Sequence, residues 1–232
     1  MIRIIVGGTV GSGKSVTAVR EILNRKNTTY TNFNIKADNI IRMRTDMIIL
    51  SEVINTKRDG TEVKQLKVNW DYWNKVKDEG FDIVLDEMHS IADSRMSMTK
   101  WNVLFSQWIA QIRKILSSNE QYDLILITQK LENIDIRIRR LAYQIIYCTK
   151  VETRQFQDTQ IYDSRSKKIK VKRIKKVYIK LYYFNGTYCV DKFEAFLCGE
   201  RTYNRNMLYL ANPYFKYYDS YEILSFGDDT YV

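Results

Sequence analysis

Apolar positions fall along the chain in two rhythms. Continuous apolar runs occur at residues 2–6 (Ile-Arg-Ile-Ile-Val), 81–85 (Phe-Asp-Ile-Val-Leu), 122–128 (Tyr-Asp-Leu-Ile-Leu-Ile-Thr) and 144–148 (Gln-Ile-Ile-Tyr-Cys). Strands buried on both faces read this way, as in a parallel sheet covered by helices. Thr28-Thr29-Tyr30-Thr31-Asn32 adds a strand rich in β-branched residues. Between these runs the spacing changes to three and four. Val16 to Leu23 has it, and so do Trp70, Trp73 and Val76, a segment that Asn69 can cap and Gly80 can end. The longest such stretch is 99–117, with Trp101, Leu104, Phe105, Trp108, Ile109, Ile112, Ile115 and Leu116. Strands alternating with helices predict an α/β fold with a doubly wound, mostly parallel sheet. Residues 40–68 give no clear period, although Asp59-Gly60 marks a turn.

Past residue 150 the rhythm changes again. Lys170 to Ile174 and Val177 to Tyr182 alternate and predict two strands, with no turn signal between them. Asn185-Gly186 is a hairpin signal and predicts a further strand over Thr187 to Val190. We therefore expect an α/β domain over 1–150 and a small, basic, tyrosine-rich β extension over 151–232.

The first strand and first helix enclose Gly8-Thr9-Val10-Gly11-Ser12-Gly13-Lys14-Ser15-Val16. This is the spacing of a phosphate-binding P-loop in its strand–loop–helix setting. Glycines let backbone N–H groups approach phosphate oxygens, and the helix N-terminus adds partial positive charge. Lys14 is expected on the β- and γ-phosphates of ATP, and the Ser15 hydroxyl on Mg²⁺.

The run at 81–85 ends in Asp86-Glu87. Carboxyl ends of parallel strands open onto the ligand crevice, so Asp86 is expected opposite Ser15 as the second metal partner. Glu87 can orient and polarise an attacking water. A hydrolytic ATPase needs that residue and a small-molecule kinase does not. Gln129 follows the run at 122–128 and faces the same crevice, as a γ-phosphate sensor or as a strand-end hydrogen bond. His89, the sole histidine, reads as part of the crevice wall.

The charge distribution adds a partner. Net charge is +10, and residues 165–180 hold nine Lys or Arg and no acid. Such a segment suits a polyanion, or else it is a solvated hairpin protected by lysines. Interleaved tyrosines nearby could stack on single-stranded nucleic acid, though packing on the ATPase accounts for most of them. Cys148, Cys189 and Cys198 lack metal or disulfide spacing, which fits a reducing compartment. No apolar run is long enough to span a bilayer, and the N-terminus lacks a signal-peptide layout. The expected location is the cytoplasm, the host's for a viral chain, with the virion as a second place.

Taken together, several stretches resemble the FtsK/HerA superfamily of DNA-pumping ATPases. They look most like viral genome-packaging ATPases and zonular-occludens-toxin-like phage morphogenesis proteins. The stretches are the P-loop, Tyr30-Thr31-Asn32, Ile83 to Glu87, Asp93-Ser94-Arg95, Gln111-Ile112-Arg113-Lys114, Ile127-Thr128-Gln129, Ile134 to Arg139, and a tail at Tyr217 to Glu222. The resemblance implies an additional-strand, catalytic-glutamate P-loop fold working in a homo-oligomeric ring. It also implies ATP hydrolysis at subunit interfaces, with an arginine borrowed from the neighbour. Arg113 is its first candidate, with Arg137 and Arg139 as alternates. The function implied is ATP-driven translocation of double-stranded DNA, most simply in packaging a viral genome, with a capsid or virion protein as partner. Alternatives are an assembly or extrusion ATPase of a filamentous virus and, from Asp86-Glu87-Met88-His89, a DExH-type helicase. The helicase would need a second lobe for which this chain has no room.

Overall fold

The computed structural model describes residues 1–92, 95, 98–117, 122–163 and 168–218. Asp93-Ser94, the 118–121 link, the start of the basic segment at 164–167 and the tail from Asp219 lie outside the described residues. The strands are β1 (Ile2–Val6), β2 (Thr28–Thr31), β3 (Ile40–Arg42), β4 (Ile49–Thr56), β5 (Glu62–Val68), β6 (Phe81–Leu85), β7 (Leu124–Thr128), β8 (Gln144–Asp163), β9 (Lys168–Asn185) and β10 (Arg205–Leu210). The helices are α1 (Lys14–Arg25), α2 (Thr45–Ile48), α3 (Trp70–Val76), α4 (Met88–Ile91), α5 (Lys100–Ser117), α6 (Ile136–Arg139) and α7 (Cys189–Leu197).

Eight strands form one sheet in the order β10-β9-β8-β1-β7-β6-β2-β3. From β8 to β3 neighbours run parallel, whereas β9 and β10 are antiparallel additions. β1, β6 and β7 are buried along their whole length. Side chains alternate faces along each strand. Ile2, Ile4, Val6, Ile83, Leu85, Leu124 and Leu126 pack with α3, α5 and α7. Ile5, Val84, Ile125, Ile127 and Ile146 pack with Val16, Val19 and Ile22 of α1. Helices thus cover both faces, which is the doubly wound α/β plan. Of the helix expected from Trp70, the structure forms Trp70–Val76. The Tyr72 N–H donates to the Asn69 side chain at 3.1 Å, and Trp73 is buried against Trp108 with ring centroids 5.5 Å apart.

Two expectations for the C-terminal part are corrected. Residues 168–185 form one strand, because nothing between Ile174 and Val177 breaks the pairing with β8. Asn185-Gly186 does not lead into a strand. Gly186 turns with φ 92°, Cys189 N–H donates to its carbonyl at 3.1 Å, and α7 begins. Helical spacing wins there because Cys189, Phe193 and Phe196 together pack on Tyr147 and Phe184. β8 passes through residue 150 without interruption, so the sheet itself carries the chain into its C-terminal part. Residues 40–68 contain a separate hairpin, β4–β5, turned at Asp59-Gly60, with Thr61 N–H donating to Asp59 Oδ1 at 2.9 Å.

The two ends of the parallel sheet differ in chemistry. At the amino end Arg3 meets Asp123 (3.1 Å) and Glu21 (3.1 Å), while Arg25 meets Asp82 (3.0 Å) and Asp123 (2.6 Å). At the carboxyl end lies the crevice. Beyond the Val6–Tyr147 and Leu210–Tyr178 pairings, β8 and β9 pair only with each other among the described residues. They form a two-stranded ribbon leaving the sheet at the crevice edge. Phe156, Ile169 and Val171 are 55%, 65% and 65% exposed on it.

Candidate nucleotide site

The P-loop leaves β1 at Gly7 and ends on α1. Gly11 and Gly13 hold φ of 76° and 97°, a region that side chains strain to enter. Ser12 N–H closes the turn onto the Thr9 carbonyl at 3.3 Å, and Lys14 Nζ rests on the same carbonyl at 3.4 Å. Ser12 Oγ is buried with no hydrogen-bond partner among the described residues. Val10 is exposed at the tip, whereas Val16 is buried at the start of α1. Gly8 lies beneath Tyr147 of β8, and Gly13 is pressed against Ile179 of β9.

The first turns of α1 are tied to the added strands. Thr17 Oγ1 donates to the Gly13 carbonyl (2.7 Å) and lies 2.8 Å from the Tyr209 hydroxyl of β10. Cys148 Sγ donates to the same Thr17 oxygen at 3.6 Å, and burial pushes its thiol up to about 12. The Arg20 guanidinium stacks over Tyr209 at 4.8 Å. None of Thr17, Cys148, Ile179 or Tyr209 stands out as a site residue in the sequence, since their contacts span more than a hundred positions.

Asp86 ends β6 as expected and is only 4% exposed. Ser15 Oγ donates to its Oδ2 at 2.6 Å, so the two proposed metal partners meet. Burial is the largest influence on this carboxyl and raises it above the ordinary range, while the Ser15 hydrogen bond and the Lys14 charge oppose that rise. A desolvated carboxylate beside a hydroxyl is a hard-oxygen pair that suits Mg²⁺. That ion takes few protein ligands and completes its shell with water and phosphate. Among the described residues no three His, Cys, Asp or Glu side chains converge.

Glu87 follows with φ 52°, a left-handed conformation unusual for a residue with a side chain. Its N–H donates to Asp86 Oδ1 at 2.7 Å. Ser90 N–H and Oγ both donate to the Glu87 carbonyl at 2.8 Å. β7 lies between β1 and β6, and Thr128 pairs with Val6. Half-buried Gln129 therefore emerges between the P-loop and Asp86.

The arginines are spread apart. α5 carries the chain from the crevice edge back to the start of β7, which puts Arg113, near its end, toward the opposite edge from its own P-loop. Arg137 is held by buried Asp135 through contacts of 2.6 and 3.0 Å. Arg139 lies on the same short helix, half-buried, a few residues before Tyr143 N–H donates to the Ile2 carbonyl at the amino end of the sheet. His89 occupies α4, and its side chain is outside the described residues.

The family model described as "Zonular occludens toxin (Zot)" matches residues 1–188, which include every residue of this crevice. The chain belongs to the Zot family. Among solved structures, this Zot-family chain is similar to the N-terminal domain of zonular occludens toxin from Neisseria meningitidis. Identity is 14% over 94% of this chain and 98% of that one, with a TM-score of 0.49. It is also similar to the genome packaging NTPase B204 of Sulfolobus turreted icosahedral virus 2 in complex with AMP. Identity there is 17% over 75% of this chain and 97% of that one, with a TM-score of 0.35. No curated protein sequence matches. No helix among the described residues is long and apolar enough to cross a membrane.

Proposed function

We propose that this Zot-family chain is an ATP-hydrolysing translocase of double-stranded DNA, working as one subunit of a ring that packages a viral genome. The observation that carries the hydrolytic part is the contact of Ser15 with Asp86, with Glu87 held beside it in a constrained turn. The P-loop N–H groups and Lys14 bind the phosphates. Ser15 and Asp86 would hold Mg²⁺, which would supply positive charge to the nucleotide phosphates. Glu87 takes the proton of the attacking water, and Gln129 senses the γ-phosphate. Arg113 reaches the crevice of the next subunit. Residues 1–150 form the ATPase unit, and 151–232 form its basic extension, with the ribbon contacting DNA phosphates. The site of action is the host cytoplasm, with a capsid or virion protein as partner.

Membership of the Zot family supports a second reading, in which the same motor assembles or extrudes a filamentous virus.

The test is ATPase activity with and without duplex DNA. DNA should raise turnover, and Glu87→Gln should abolish it while ATP stays bound. Hydrolysis indifferent to DNA refutes translocation. Neutralising Lys170, Lys172 and Arg173 should lower the salt slope of DNA binding by about 2–3; an unchanged slope removes the ribbon from the DNA contact.

A further inference from the structure

The ladder between β2 and β6 stops at the Thr31–Val84 pair, just short of the crevice. The next residue, Asn32, is buried, and its side-chain amide acts as one more rung. Its Oδ1 accepts from the Asp86 N–H at 2.8 Å, and its Nδ2 donates to the Asp86 carbonyl at 3.0 Å. Asparagine suits this place because a peptide-like amide offers an acceptor and a donor side by side. Aspartate lacks the donor, and serine is too short to span both groups.

The grip falls on a backbone that needs it. Asp86 has its carboxylate turned to Ser15 and to the Glu87 N–H, and Glu87 then enters the left-handed region. Such a conformation persists only where the surroundings over-determine it. Ser90 holds the far side of Glu87, and Asn32 holds the near side. The loop after Asn32 is itself anchored. Ile35 bridges Tyr218, and Lys36 N–H donates to the Tyr217 carbonyl at 2.7 Å.

We infer that Asn32 is the positioning residue of the crevice: it fixes the Asp86 peptide so that the carboxylate meets the metal and Glu87 faces the water. This rests on the ATPase reading above. Asn32 is not among the residues proposed above to hold phosphate or metal, and it acts through Asp86.

A merely structural amide would lower stability without altering metal use, so the test measures metal use directly. A fluorescent ATP analogue is titrated into the full chain in EDTA and in Mg²⁺, and the ratio of the two affinities is the metal-dependent gain. In Asn32→Ala the gain should fall by about 10- to 100-fold, as for other residues that orient a metal ligand. Affinity in EDTA should stay close to wild type because the P-loop is intact. ATP turnover should fall about 100-fold through misplacement of the reacting groups. Asn39→Ala serves as the control, since that amide donates to the Asn27 carbonyl at the far end of the same loop. It should lower the melting temperature and leave the gain unchanged. Asn32→Ser keeps a polar group in the buried site without the double hydrogen bond, and it should lose the gain even if the alanine variant does not fold. A wild-type chain with no metal-dependent gain overturns the ATPase reading. A wild-type gain kept in full by a folded Asn32 variant overturns the role of Asn32 alone.

Discussion

Gly13 offers a test of how the C-terminal strands support the P-loop. It holds φ 97° at the start of α1, and a Cβ placed on it would overlap Cδ1 of Ile179 and stand 2.8 Å from Cγ1. Gly13→Ala therefore carries two costs. Forcing a side chain to positive φ costs about 1–2 kcal/mol. Pushing a methyl into a packed neighbour costs about 1–3 kcal/mol more. The total expected is about 2–5 kcal/mol. Ile179 is 1% exposed, so Ile179→Ala alone should cost about 2–5 kcal/mol through lost burial and the cavity it leaves.

The double variant separates these terms. Removing the Ile179 side chain relieves the overlap but leaves the backbone cost. The pair should thus be less destabilised than the sum of the singles by about 1–3 kcal/mol, the overlap term. Urea unfolding of all four proteins, with equal m-values, reads that coupling. Additivity within about 0.5 kcal/mol would show that β9 does not bear on Gly13, and the buttress argument would fail. The measurement needs no nucleotide, so it stands apart from any question of turnover.

Three further outcomes follow from the same geometry. Asp123→Ala should cost about 3–5 kcal/mol, because it strips a buried partner from both Arg3 and Arg25; urea unfolding checks this, and an affinity for nucleotide that falls with it would contradict the placement at the amino edge. The Arg137 hydrogen bond holds the Asp135 carboxyl below its ordinary 3.8, so its folded form binds protons less readily than the unfolded one. Its stabilisation is full above pH 3.8 and is lost as pH falls through the lowered value; wild type should exceed Asp135→Asn by about 1–2 kcal/mol at pH 7, and a difference that does not shrink in acid refutes the assignment. For Arg113, mixing Arg113→Ala chains with Lys14→Ala chains should restore part of the ATPase activity; intact rings without rescue would rule out its action in trans.

Much of the parallel sheet was legible because buried parallel strands have a simple signature. The runs at 2–6 and 81–85 coincide with β1 and β6, the run at 122–128 holds β7 from Leu124 on, and the P-loop and Asp86 follow from where the first two end. The C-terminal part was less legible for a physical reason. Thr187 to Val190 has strand-like residue types, yet the partners that decide its state, Phe193 and Phe196, lie further on. The 40–68 region gives no period because β4 is exposed beyond its first two positions. Asn32 belongs to a stretch that carries the resemblance, yet its contact with Asp86 shows only where the ladder ends.

The strand order also decides what this crevice lacks. One strand, β7, separates the P-loop strand from the acid strand, so Ser15 and Asp86 approach across a gap of about 10 Å between strand axes. Gln129 follows the strand that lies between theirs. Nothing on the same chain brings Arg113 there, because the 18 residues of α5 extend about 27 Å and run back toward the amino edge. Arg137 is held by Asp135. The candidates we propose for meeting charge on a γ-phosphate are thus Arg113, supplied by a neighbour, and its alternate Arg139. The rescue experiment separates these two, since only an arginine supplied across an interface can be restored by a chain that has lost its own Lys14.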